Sequence, residues 1–116
     1  MTRGEIWWAD FGIPFGNEPG FKRPVLIVQD DDFNKSNIWT VVVVPFSTNL
    51  LLADAPGNVL LAKDAGGLSK DSVLVTSQIN TIDRARLIKK ISKIEKRLFR
   101  ELEEGMMTVL GIRKFS

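Results

Sequence analysis

Apolar residues in this chain come in short runs punctuated by Gly, Pro, Asp and Asn, the rhythm of strands and turns. Glu5-Ile6-Trp7-Trp8-Ala9-Asp10-Phe11 alternates imperfectly and is aromatic, which predicts a first strand. Gly12 to Gly20, with two prolines and three glycines, reads as a long loop. Pro24-Val25-Leu26-Ile27-Val28 is a β-branched run that predicts a strand over 24–29, covered on both faces. Pro24 lacks an N–H, so it belongs at that strand's first position or on an edge. Asp30-Asp31-Asp32 ends the run. Thr40-Val41-Val42-Val43-Val44-Pro45-Phe46 is the most apolar segment and predicts a central strand. Leu50 to Asn58 reads as a loop with exposed leucines and a Pro56-Gly57 turn. Val59-Leu60-Leu61 is a short strand, Asp64 to Gly67 a turn, and Ser72 to Ile79 a further strand region. Asp83 is placed to cap a helical turn through Arg86, with a last strand over Leu87 to Ile91.

Only then does the apolar period lengthen. Ile94, Leu98, Leu102, Met106 and Val109 or Leu110 recur at helical spacing. Ser92 with Glu95 three residues later predicts a capping box, and Gly111 an end signal. Gly105 inside this helix costs up to ~1 kcal/mol relative to Ala and points to close packing. The expected architecture is mainly β with α: a small, strongly curved sheet or barrel with one C-terminal helix, in a single domain over 1–116.

Composition narrows the chemistry. With 116 residues, 44% hydrophobic and 26% charged, the chain has enough apolar material for one ordinary core. No apolar run approaches the roughly 20 residues that span a membrane. No signal-type stretch follows Met1, so a cytoplasmic location is expected. There is no Cys and no His. Thiol nucleophiles, His general acid–base catalysis and Cys or His metal ligation are therefore excluded. Any catalysis falls to Arg, Lys, carboxylates, hydroxyls and backbone amides. The net charge of +2 is uneven: +5 from Asp83 onward and −3 before it. That asymmetry suits a basic face for a polyanion, or a charged solvated helix.

Three stretches carry candidate chemistry. Glu18 and Arg23 sit on a loop rim where the chain turns into the core, a usual place for functional groups and also for a plain ion pair. Ser47-Thr48-Asn49 ends the central strand with short polar side chains, which either start a turn or present hydroxyls beside Glu18 and Arg23. The second reading requires strands 24–29 and 40–46 to pair, as sequential strands usually do. Asp30-Asp31-Asp32 invites a Mg²⁺ reading, but adjacent carboxylates rarely converge on one ion, and a polar strand end suffices. No phosphate-binding glycine loop is present.

Several stretches together resemble the MazF/PemK family of toxin ribonucleases. They are Arg3-Gly4-Glu5-Ile6-Trp7, Gly16-Asn17-Glu18, Arg23-Pro24-Val25-Leu26-Ile27-Val28-Gln29, Phe33-Asn34, Val43-Val44-Pro45-Phe46-Ser47, Gly67-Leu68, Asp71-Ser72 and Gln78-Ile79-Asn80-Thr81-Ile82-Asp83-Arg84. The resemblance implies an SH3-like, PemK-type small β-barrel that forms a homodimer. It implies sequence-specific cleavage of single-stranded RNA without a metal or cofactor. It also implies inhibition by a cognate antitoxin whose acidic, flexible tail covers the RNA site. Carried over by motif, Arg23 is the catalytic Arg and Glu18 the loop carboxylate. Ser47 stands where many members have Thr, keeping the hydroxyl, with Thr48 as an alternative carrier. Phe15, Asn17, Asn49 and Gln78 are candidate base readers, and Arg84 and Arg86 candidate backbone contacts. A non-catalytic gyrase poison of the same fold and a plain SH3-like interaction module are the competing readings. The presence of both Arg23 and Ser47 argues against the first, and the polar set Glu18, Arg23 and Ser47 would have no purpose in the second.

Overall fold

The computed structural model describes residues 1–13, 16 and 21–112. Its seven strands are β1 (Glu5–Asp10), β2 (Lys22–Ile27), β3 (Thr40–Ser47), β4 (Val59–Leu61), β5 (Ser72–Leu74), β6 (Asn80–Asp83) and β7 (Leu87–Lys93). A four-residue helix, α1 (Asp31–Asn34), follows β2, and a long one, α2 (Lys96–Leu110), closes the described chain. The sheet runs β4-β5-β3-β2-β1-β7, and all pairings are antiparallel.

Strand β3 organises the sheet. One edge pairs with β2 from Val43 to Pro45. The other is shared: β6 takes Thr40 to Val43, and β5 takes Phe46 and Ser47. At the change of partner the Val75 amide donates to the Pro45 carbonyl (3.0 Å), so the ladder continues without a gap. One strand thus serves two directions, and the sheet bends into an incompletely closed barrel.

Strand alternation sorts the core into two layers. Ile6, Leu26, Val44 and Phe46 face one way and pack with Leu98 and Leu102 of α2. Ala9, Val25, Ile27, Val41 and Val43 face the other way, covered by Trp7, Phe11 and Leu87. Val25, Leu26 and Ile27 have no solvent exposure at all, as expected for a strand covered on both faces.

Three local expectations are corrected. Strand β2 begins at Lys22, so Pro24 is not its first residue. Pro24 is tolerated because the ladder to β3 begins only at Val25, leaving Pro24 paired to β1 alone, through Trp8. The region 72–79 is broken by a 3-10 turn over Thr76–Gln78, and β6 follows it unforeseen. Its four residues contain one buried apolar side chain, Ile82, too little for a period. The capping box does not form. Ser92 belongs to β7, where its hydroxyl donates to the Gly66 carbonyl (2.6 Å), and α2 starts after Glu95 without a side-chain cap. The triple Asp performs local work: Asp30 caps α1, and Asp31 accepts from the Arg3 amide (2.8 Å) and the Asn34 side chain (3.0 Å). Those bonds, Asn34's first, hold the Asp31 carboxyl below its usual range.

The remaining end signals behave as expected. Asp83 accepts from the Ala85 amide (2.8 Å) and caps the turn Arg84–Arg86. Gly111 closes α2 at φ 69°. Gly105 lets α2 press on the Pro56-Gly57 turn, where a Cβ would run into the Gly57 carbonyl.

Candidate active site

The loop between β1 and β2 is tied at its base. The Phe11 amide donates to the Phe21 carbonyl (2.8 Å), and the Phe21 amide to the Gly12 carbonyl (2.6 Å). The Asp10 carboxylate accepts from the Gly12 amide (2.8 Å). Phe21 pays for this closure by standing at φ 57°, a left-handed conformation that costs a bulky side chain, with its ring 66% exposed.

Immediately after it, Lys22 and Arg23 open β2, and Ala9 is the β1 partner of Arg23. The β2–β3 register runs Ile27↔Val43, Leu26↔Val44, Val25↔Pro45. The ladder stops at Val25↔Pro45, and two residues beyond it on each strand stand Arg23 and Ser47. Two residues separated by the whole α1 region in sequence are thereby placed at the adjoining ends of β2 and β3. Arg23 is half-buried, and its Nε has no hydrogen-bond partner among the described residues.

The other sequence candidates divide. Arg86 joins the rim: its Nη1 donates to the Asp10 carbonyl (2.9 Å), beside the Asp10↔Lys22 pair. Lys22, Arg23 and Arg86 thus form a basic edge. Thr48 is exposed directly after Ser47. The Asn49 side chain is engaged in capping, accepting from the Leu51 amide (3.2 Å), while its own amide donates to the Ser47 hydroxyl (3.1 Å). It orients Ser47 rather than offering that oxygen to a ligand. Gln78 lies in the 3-10 turn packed against α2, away from this edge. Arg84 is not brought to it either. Its amide bonds to Trp39 and its guanidinium to the Phe33 carbonyl (2.9 Å), at the far end of β3. A strand of that length separates it from Ser47 by roughly 23 Å. Phe15, Asn17 and Glu18 lie outside the described residues.

Sequence reasoning missed the wall beside Ser47. Trp8, Pro24, Ser47, Thr48, Ser69 and Lys70 line a cleft of about 310 Å³. Trp8 carried a weak signal, since alternation turns one of two adjacent tryptophans away from its neighbour's layer. Ser69 and Lys70 carried none, because their loop reaches the cleft only through tertiary packing. Among the described residues, no group of three or more carboxylates is placed to hold a metal ion.

A family model described as PemK-like, MazF-like toxin of type II toxin-antitoxin system matches residues 2–110. The chain belongs to that family. It is 36% identical over 112 residues to Endoribonuclease MazF6 of Mycobacterium tuberculosis H37Rv and, equally, to Endoribonuclease MazF2 of Mycobacterium bovis. Each alignment covers 97% of this chain and 98% of the relative. The fold matches the crystal structure of MazF (Form-I) from Deinococcus radiodurans with a TM-score of 0.80 at 19% identity, over 97% of both chains. It matches a mycobacterial endoribonuclease, in complex with its cognate antitoxin, with a TM-score of 0.79 at 20% identity over 99% of both.

Proposed function

We propose that this family member is the toxin of a type II toxin–antitoxin pair, an endoribonuclease that cleaves single-stranded RNA at specific sequences. The observation that carries the reading is the placement of Arg23 and Ser47 at the adjoining ends of β2 and β3, on a basic sheet edge, in a chain without His or Cys. RNA brings its own nucleophile, the 2′-hydroxyl. The protein has only to align that oxygen, move protons and stabilise charge on phosphorus.

Arg23 holds the phosphate through its planar fork as negative charge builds. Ser47, its position steadied by the Asn49 amide, donates its hydroxyl proton to a phosphate oxygen. Glu18, reached from the loop, accepts the 2′-hydroxyl proton or orients Arg23. Attack of the 2′-oxygen on phosphorus expels the 5′-oxygen, which takes its proton from solvent water. It leaves a 2′,3′-cyclic phosphate and a 5′-hydroxyl, with no step requiring a metal.

A homodimer belongs to the same reading. An apolar groove of about 620 Å³ runs between β3, β6 and α2, lined by Phe33, Ile38, Val42, Ile79, Met106 and Leu110. Apolar surface of that extent calls for a partner, and a second copy offers a matching face. The partner in regulation is an antitoxin with an acidic, flexible segment. Such a segment would neutralise Lys22, Arg23 and Arg86 and exclude RNA.

The test uses Arg23→Ala on a long mixed-sequence RNA in excess EDTA, with an RNA carrying a 2′-deoxy sugar at the cut site for binding. The parent should cleave in EDTA and leave cyclic phosphate ends. Arg23→Ala should cleave about 10²–10³-fold more slowly, the range for losing one electrostatic donor, while retaining most affinity for the deoxy RNA. Parental rates from Arg23→Ala, or cleavage that EDTA abolishes and Mg²⁺ restores, would sink the proposal.

A further inference from the structure

The cleft beside Ser47 has no part in bond breaking, yet it is built as a site. Its floor is β1 and β2, where Trp8 stands across from Pro24 on one side and Lys89 on the other. Trp7 is turned to the opposite layer and its indole N–H donates to Glu5 Oε1 (3.0 Å). Trp8 is 41% exposed and forms part of the cleft wall. The facing wall is the loop 62–71, which is held rather than free. The Lys63 amide donates to the Asp71 carboxylate (2.8 Å), and Ser92 of β7 ties down the Gly66 carbonyl (2.6 Å). The Ser72 hydroxyl donates to the Lys70 carbonyl (3.1 Å). The backbone that carries Ser69 and Lys70 into the cleft wall is thereby held.

We infer that this cleft is a single-nucleobase subsite for a nucleotide next to the scissile phosphate, with Trp8 as its stacking surface and Lys70 as its reader. It rests on the ribonuclease reading, and extends it to what the enzyme selects. The volume of about 310 Å³ takes one base and part of its sugar, not a longer segment. Ser47 and Thr48 line the same cleft, so a base seated there belongs to a nucleotide flanking the phosphate that the Ser47 hydroxyl contacts in the proposed reaction. Single-stranded RNA is recognised by splaying bases onto aromatic faces, and every base can use such a face. Selectivity then depends on the polar wall. A lysine ammonium only donates hydrogen bonds. On the edge that carries the 6- or 4-substituent it matches O6 of guanine or O4 of uracil and opposes the N6 amino group of adenine or the N4 amino group of cytosine. The Ser69 hydroxyl serves either edge. The subsite therefore favours keto bases.

The experiment uses a short RNA with a 2′-deoxy sugar at the mapped cut, so that binding is read without cleavage. Each flanking position is made abasic in turn, or changed between U and C or G and A. Affinity is measured by anisotropy for the parent, Trp8→Leu, Trp8→Phe and Lys70→Ala. One abasic position should weaken the parent about 5- to 100-fold, the span of one stacked base. Trp8→Leu should weaken the intact RNA similarly and lose nothing more at that abasic position, while Trp8→Phe keeps most of the affinity. Lys70→Ala, on an exposed loop and so safe for the fold, should flatten the keto preference at that position alone.

Equal abasic penalties in the parent and Trp8→Leu overturn the inference. So does a keto preference unchanged by Lys70→Ala. Variants that bind RNA normally but lose affinity for an acidic antitoxin peptide would make the cleft a protein-binding pocket and overturn it as well. Because the readout is binding, these failures are distinct from a failure of the Arg23 cleavage test.

Discussion

At the scale of single residues, two side chains do unusual work for the fold. Glu5 is buried at the start of β1. Burial pushes its carboxyl up, but donors from Trp7, Thr2 and Lys90 together outweigh that and hold it down to about 2 from an ordinary 4.5. A carboxyl depressed in the fold contributes stability above its unfolded value, and that stability is lost as pH falls through the folded one. We therefore expect stability to decline between pH 4.5 and about 2. Glu5→Gln should remove up to about 2–3 kcal/mol at neutral pH and flatten this decline. Urea titrations at pH 7 and pH 3 check both. An unchanged acid slope in Glu5→Gln would refute the assignment.

Phe21 is the converse case, an exposed ring in a left-handed backbone. Glycine takes that conformation without strain, so Phe21→Gly should stabilise the fold by about 1 kcal/mol. Thermal unfolding would show it as a higher Tm, and a lower Tm would mean that the ring packs usefully.

At the scale of elements, the contact of α2 with the Gly57 turn decides how the helix sits. Thr76 donates its hydroxyl to the Gly57 carbonyl (2.6 Å), and the Asn58 carboxamide accepts from the Thr76 amide (2.9 Å). The turn is thus pinned from the sheet side and cannot retreat from the helix. Alanine is the better helix former by ~1 kcal/mol, which alone would make Gly105→Ala stabilising. Here the added methyl meets a fixed backbone carbonyl, and overpacking of that kind costs about 1–3 kcal/mol. The net expectation is a fall in Tm of several degrees. A rise would show that α2 shifts freely over the turn.

At the scale of the molecule, the proposed function gives the groove beside α2 and the basic edge at β2 different partners. If a second copy covers the groove, sedimentation at micromolar concentration should give about twice the 13.0 kDa chain mass. Met106→Glu and Leu110→Glu should each drive it toward monomer, since a charge there meets an apolar partner. Full RNA cleavage by a monomer would contradict the dimeric reading.

The sequence alone determined the parts whose signals are local. The buried strand at Val25–Ile27, the central strand, the Asp83-capped turn and the glycine end of α2 were all legible from side-chain type, because propensity and period act within a few residues. Arg23 and Ser47 were legible as candidates, since bringing β2 and β3 side by side required only that consecutive strands be neighbours. The boundary of α2 was not. The Ser92–Glu95 spacing mimics a cap, and β7 wins Ser92 because the sheet and the Gly66 carbonyl offer more than one helical turn. Strand β6 and the fate of Pro24 depend on where β3 changes partners, a property of the assembled sheet. The Ser69–Lys70 wall and the separation of Arg84 from Arg86 are likewise tertiary. Two arginines two residues apart are sent in different directions by a single 3-10 turn, Arg86 to the basic edge and Arg84 away from it, and no period in the chain records which way the sheet beneath them runs.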